Sequence, residues 1–270
     1  MLASLLCSLG GGVLTVLGFS RLDLIAARFI RLPAIISCAV GAGVTVWFWR
    51  RSGLIVAPPT SRAALASLSC AAAAAVIVML QPLAARTRST ALIRVPAILG
   101  GVCGMVAACL FARPLASVHS TGVLMALAVI GQCLGAMLLG SVTVAWLLGH
   151  AYLTATKMTI TPLQSLVRWF ALSVGLRGVY FVVCVTLFST GALPGFDGPF
   201  FERIMGDWLV LSLRVAVGLL AVGVFAYMVS DCVRLRSTQS ATGILYFASV
   251  FVYIGELSSQ FLATEFLLPL

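Results

Sequence analysis

Residues 120–149 read STGVLMALAVIGQCLGAMLLGSVTVAWLLG, a run of thirty residues without a single charged side chain. Wound as an α-helix it is about 45 Å long, more than the roughly 30 Å hydrocarbon core of a bilayer. It lacks the two-residue alternation of a barrel strand. A backbone in hydrocarbon must satisfy its own N–H and C=O groups, so a continuous apolar run of this length predicts a transmembrane helix.

Comparable runs recur on both sides of it. The expected spans are 2–20, 33–49, 63–85, 92–112, 120–149, 163–189, 207–230 and 240–263, all belonging to one integral membrane domain covering residues 1–270. The composition agrees. Hydrophobic residues make up 61% of the chain and charged ones 9%, with a mean hydropathy of +1.15; a soluble domain carries about 25% charged residues. The expected fold is therefore all-α, a polytopic membrane helical bundle of about eight helices embedded in a lipid bilayer. The N-terminal run lacks a basic n-region and a small-x-small cleavage site before Arg21, so it reads as a retained first helix.

The net charge is +10, from sixteen arginines and Lys157 against seven acidic residues. The basic residues lie mostly in short loops between apolar runs. That pattern fits anchoring against anionic headgroups and not a nucleic-acid surface. One set of loops holds Arg21, Arg28, Arg31, Arg86, Arg88, Arg94, Lys157, Arg168, Arg234 and Arg236. The other holds Arg50, Arg51, Arg62, Arg113 and Arg203. The positive-inside rule puts the first set in the cytoplasm and both termini outside, as expected for a multi-pass protein of a bacterial inner membrane.

Two features concern architecture. Ile30-Arg31-Leu32-Pro33-Ala34-Ile35 recurs 63 residues later as Ile93-Arg94-Val95-Pro96-Ala97-Ile98. Each copy opens a glycine-containing span, with the proline placed near the helix start. A duplicated helical hairpin and a chance likeness between two Arg-Pro helix starts both account for it. Gly100 and Gly104 form one GxxxG motif, and Gly131 and Gly135 form another. Small residues of this kind let membrane helices approach closely.

Ionisable groups inside a membrane are costly and single out candidate sites. Arg214 lies about seven residues into the seventh span and Glu256 about seven residues from the end of the eighth. The two spans are joined by a short loop, which predicts an Arg214–Glu256 ion pair facing the bundle interior. Its role is either a structural clamp or part of a substrate or proton site. Arg177 lies near the middle of the sixth span with no carboxylate at its own depth in the sequence. Backbone carbonyls, Gln132, an anionic ligand or a wet cavity are its candidate surroundings. His150 and Tyr152 close the fifth span, where they act as interfacial anchors or as hydrogen-bonding and proton-transfer groups for a quinone.

Other chemistry is absent from the sequence. Eight cysteines fall almost entirely inside apolar runs without a CxxC pair, so they read as small core residues and not as metal ligands. His119 and His150 stand at opposite ends of one span, roughly 45 Å apart, so they cannot share a haem iron. There is no Walker loop, GxSxG elbow, HExxH or Asp-rich diphosphate motif. No catalytic site is expected in this chain.

The last span, ATGILYFASVFVYIGELSSQFL, carries Gly255-Glu256-Leu257 late in an apolar helix. It resembles the closing helix of the eight-helix membrane anchors of dimethyl-sulfoxide-reductase and polysulfide-reductase type. The resemblance covers some twenty residues. It implies a quinone as ligand and a soluble iron–sulfur partner subunit, although the third span has no histidine to match the quinol-site residue of that family. Three functions stay open at this point. The chain is a non-catalytic membrane subunit of a larger, respiratory-type assembly with a quinone or lipid site among spans five to eight. Alternatively, it is a small-solute or lipid transporter using Arg177, Arg214 and Glu256, or a structural or assembly protein.

Overall fold

A computed structural model describes residues 1–21, 27–52, 58–87, 89–112, 122–154, 159–190 and 207–265. These form eight helices: α1 (Leu2–Phe19), α2 (Ala27–Ser52), α3 (Pro58–Thr87), α4 (Ala91–Phe111), α5 (Gly122–Thr154), α6 (Thr161–Ser189), α7 (Trp208–Arg234) and α8 (Thr238–Glu265). All eight are long and apolar enough to cross a membrane, and no strand occurs among the described residues. The protein is an all-α polytopic membrane bundle.

Helices α2 and α3 begin six and five residues before the expected spans. Hydropathy marks only the stretch at hydrocarbon depth, whereas helical hydrogen bonding continues into the headgroup layer. The early start of α2 places Pro33 in its second turn, and Pro96, the sixth residue of α4, lies in the second turn as well. Each removes one helical hydrogen bond there, contrary to the expectation of a cost-free position.

Helix α1 is the hub. It packs against α2, α4 and α5, and thirteen of its eighteen residues are buried. Three consecutive glycines make this crowding feasible. A Cβ on Gly11 would lie 2.8 Å from the Gly104 carbonyl carbon, and one on Gly12 would lie well inside the Ala136 carbonyl oxygen. In return, a Cβ on Gly140 would lie 2.2 Å from the Gly12 carbonyl carbon. Gly104 of the first GxxxG motif therefore meets α1, while its partner Gly100 clears Ala73 of α3 and Leu14 of α1. In the first half, α4 packs on both α1 and α3, and α2 packs on α3 and, less extensively, on α1.

The second half is built on α8, which contacts both α5 and α7. The α7–α8 turn is tight. Arg236 adopts a left-handed backbone (φ 60°), the Ser237 N–H donates to Cys232 O at 2.9 Å, and the Arg236 N–H donates to Val233 O at 3.2 Å. This is a Schellman-type stop with arginine where glycine is usual. Residues Leu213–Ala221 of α7 wind as a π-helix. Such segments are rare and occur often at functional sites.

Candidate functional site

The antiparallel pair α5 and α8 carries polar groups along its seam. On α8 they are Thr242, Tyr246, Ser249, Tyr253, Glu256 and Gln260, spaced alternately by four and three residues, which keeps them on one stripe. On α5 they are Gln132, Thr143, Trp146 and His150. In a membrane each such group needs a partner, and most find one across the seam. Gln132 and Gln260 exchange two amide hydrogen bonds at 3.1 and 2.8 Å. Ser8 of α1 donates to Gln132 Oε1 at 3.2 Å, and the Thr143 and Tyr253 hydroxyls lie 2.9 Å apart.

The ionised groups meet in the half of the bundle nearer the chain termini. Arg214 Nη1 lies 3.1 Å from Glu256 Oε1 and 3.2 Å from Gly255 O. The expectation that Arg177 lacks a carboxylate at its depth is corrected by the geometry. Its Nε and Nη2 grip Glu256 Oε1 and Oε2 at 3.0 and 2.9 Å. Counted inward from Ser189 and Glu265, Arg177 and Glu256 differ in depth by roughly 5 Å, which a long arginine side chain spans. Helix α6 packs on α5 and α7 rather than directly on α8, so the guanidinium bridges between its neighbours to reach the carboxylate. Its Nη1 donates to Gly131 O at 3.0 Å and its Nη2 to Ser259 Oγ at 2.8 Å. The three side chains are 0–3% exposed.

Glycines make the room. A Cβ on Gly135 would lie 2.5 Å from Glu256 Oε2, and one on Gly131 would lie 2.6 Å from the Tyr180 hydroxyl. Tyr180 in turn donates to Leu127 O at 2.8 Å and places its ring 5.3 Å from the Arg177 guanidinium carbon. The second GxxxG motif thus accommodates side chains of the cluster rather than a neighbouring backbone. Gly218 and Gly255 bring α7 onto α8, a Cβ on Gly255 falling 2.3 Å from Gly218 Cα. That contact sets Arg214, one turn before Gly218, beside Glu256.

Two arginines face one glutamate, so the cluster carries a net positive charge among the described residues. Hydrogen bonding is also incomplete: Arg214 is fully buried, yet its Nε and Nη2 have no partner among the described residues. A cavity of about 20 Å³ adjoins the cluster, lined by Ala128, Gly131, Gln132, Arg177, Ser259, Gln260 and Ala263. No family model, curated protein or solved structure matches the chain, so its chemistry is read from this geometry alone.

A second polar group lies at the opposite end of the seam. His150 Nδ1 is 3.1 Å from the Tyr246 hydroxyl. Tyr246 also packs on Trp146, with ring centroids 5.0 Å apart. The Trp146 indole N–H is buried without a partner among the described residues. Tyr152 does not join His150; its hydroxyl donates to Thr159 O, across the short connection to α6. Two residues apart on a helix, the side chains point about 200° apart, so adjacency in sequence separated them. The sequence reading also missed Tyr246, Tyr180, Ser259 and Gln260. The four-three polar spacing along α8 was the available signal for Tyr246 and Gln260. His119, Lys157, Arg88, Arg113 and Arg203 lie outside the described residues, as does the segment 191–206.

Proposed function

We propose that the protein is a non-catalytic membrane subunit of a larger assembly, of respiratory type, that holds a quinone or lipid headgroup at the His150–Tyr246–Trp146 end of the α5–α8 seam. The observation that carries this reading is the buried, unpartnered Trp146 N–H beside the His150–Tyr246 pair. An indole N–H donates only, so it is suited to a carbonyl or phosphoryl oxygen. His150 is exposed, and its second ring nitrogen, which has no hydrogen bond among the described residues, can serve the same ligand. The aromatic faces of Trp146 and Tyr246 supply the flat apolar wall that a quinone ring or an acyl stem needs.

A solute carrier would need a cavity large enough for its cargo. The one beside Arg177 has room for about a single water molecule, which favours a subunit over a carrier. In this reading the Lys- and Arg-rich loops face the cytoplasm of a bacterial inner membrane, and both termini face outside. That puts His150 near the cytoplasmic surface.

Purification of the full chain in mild detergent tests the proposal, with mass spectrometry of accompanying proteins and extraction of quinones and lipids. Stoichiometric partners and a quinone or lipid that is lost in His150→Phe are the expected result. A lone protein free of quinone, with lipid content unchanged by the substitution, refutes it.

A further inference from the structure

The geometry points to a second site at the other end of the seam: the small cavity beside Arg177 binds a monovalent halide such as chloride. Charge, hydrogen-bond capacity and size lead to this independently of the quinone or lipid reading.

Charge comes first. Arg177 and Arg214 are both drawn to the single carboxylate of Glu256. One positive charge is left over within a region that excludes water, and an unbalanced charge there is expensive. A neutral water in the cavity solvates that charge but does not cancel it. A monovalent anion does.

Hydrogen-bond capacity selects the same sign. A guanidinium has five N–H groups, and four of those on Arg177 are committed to Glu256, Gly131 and Ser259. The Gln132 and Gln260 amides each spend one N–H on the other, leaving one apiece. The acceptors beside these groups each already receive at least one hydrogen bond: Gly131 O from Arg177, Gln260 Oε1 from Gln132, and Gln132 Oε1 from Gln260 and Ser8. With one N–H left on each of Arg177, Gln132 and Gln260, donors predominate in the spare capacity of the wall, which suits an anion better than a cation.

Size narrows the class. About 20 Å³ is space for one water-sized body, and Ala128 and Ala263 form the apolar part of its wall. A bare halide fits this description, whereas a carboxylate such as gluconate does not. The spare N–H groups of the amides and the guanidinium would replace part of the hydration shell, as oxygen ligands do for cations in selective pores.

The test uses the full chain in detergent, with thermal unfolding followed by tryptophan fluorescence. Sodium chloride or bromide replaces sodium gluconate at constant ionic strength. Halide should raise the midpoint saturably, by roughly 5 °C at a hundredfold excess over Kd. Ala128→Leu fills the cavity and should abolish the response. Arg214→Met leaves the cavity wall intact but neutralises the cluster, and should weaken halide affinity at least tenfold. Bromide-substituted crystals of the unaltered protein should show an anomalous peak against Arg177. Equal midpoints in gluconate and chloride overturn the assignment. So does a halide response in Ala128→Leu equal to that of the unaltered protein, or a bromide map with no peak in the cavity.

Discussion

Replacing Glu256 by glutamine removes the carboxylate shared by two buried guanidiniums. Three charge-assisted contacts of 2.9–3.1 Å are lost or weakened, and both cations are left in place with no space to separate. Removing one partner of a buried pair costs about 3–5 kcal/mol, and the mutual repulsion of the arginines puts Glu256→Gln at the upper end. Arg177→Met is expected next, because it deletes the two-pronged grip on the carboxylate together with bonds to Gly131 O and Ser259. Arg214→Met should be mildest, at about 1–2 kcal/mol. It forfeits only the Nη1 contacts to Glu256 and Gly255, removes two unpartnered donors, and leaves a neutral Arg177–Glu256 pair. The double change Arg214→Met with Glu256→Gln should be worse than Arg214→Met alone, because it strands Arg177. A simple two-residue pair between Arg214 and Glu256 predicts the reverse, with the double change milder than either single one. Equilibrium unfolding of the four variants in mixed micelles gives the ranking. Arg214→Met as damaging as Glu256→Gln, or a double variant more stable than Arg214→Met, refutes the three-membered cluster.

Four further outcomes follow from single contacts. Gly135→Ala places a methyl group 2.5 Å from Glu256 Oε2, so it should cost about 1–3 kcal/mol, and its cost should shrink in a Glu256→Ala background; additive costs in that double-mutant cycle would count against the contact. Gly12→Val thrusts a side chain into the Ala136 carbonyl and should abolish the folded peak in fluorescence size-exclusion chromatography, while Gly43→Ala, where a Cβ meets open space, should leave it unchanged. Arg236→Gly relieves a left-handed arginine and should raise stability by about 0.5–1 kcal/mol in the same unfolding assay. Cysteine labelling from either side of the membrane should find Ser237→Cys reactive only from the cytoplasm; labelling only from outside would reverse the proposed orientation.

The membrane bundle was legible because it rests on a redundant signal. Each span repeats some twenty apolar residues, so the loss of any one side chain leaves the pattern intact. The helix ends were less legible, as α2 and α3 show, because the headgroup layer accepts helix and loop alike. Arg214 and Glu256 could be matched from sequence because a tight turn joins their helices and equal depth follows from counting residues. Arg177 could not be matched in that way. Its helix is separated from α8 by a whole intervening span, and its link to Glu256 depends on which helices become neighbours. Hydropathy carries no information about that choice.

What decides the neighbours is where backbone can approach backbone. Gly11 and Gly12 seat α1 against α4 and α5, while Gly218 and Gly255 press α7 against α8. Gly131 and Gly135 then leave gaps on α5 that Tyr180 and Glu256 fill. The glycines and the ionised cluster therefore form one construction. Without the α7–α8 contact, Arg214 has no route to Glu256. Without the gap at Gly135, the carboxylate has no place to receive Arg177. A purely structural clamp is satisfied once each charge is balanced and each donor is used. This cluster has one cation too many, two Arg214 nitrogens (Nε and Nη2) without a partner among the described residues, and a cavity alongside whose wall has donors to spare. The surplus charge and the surplus donors have the same sign, and that is the ground for the proposed anion beside Arg177.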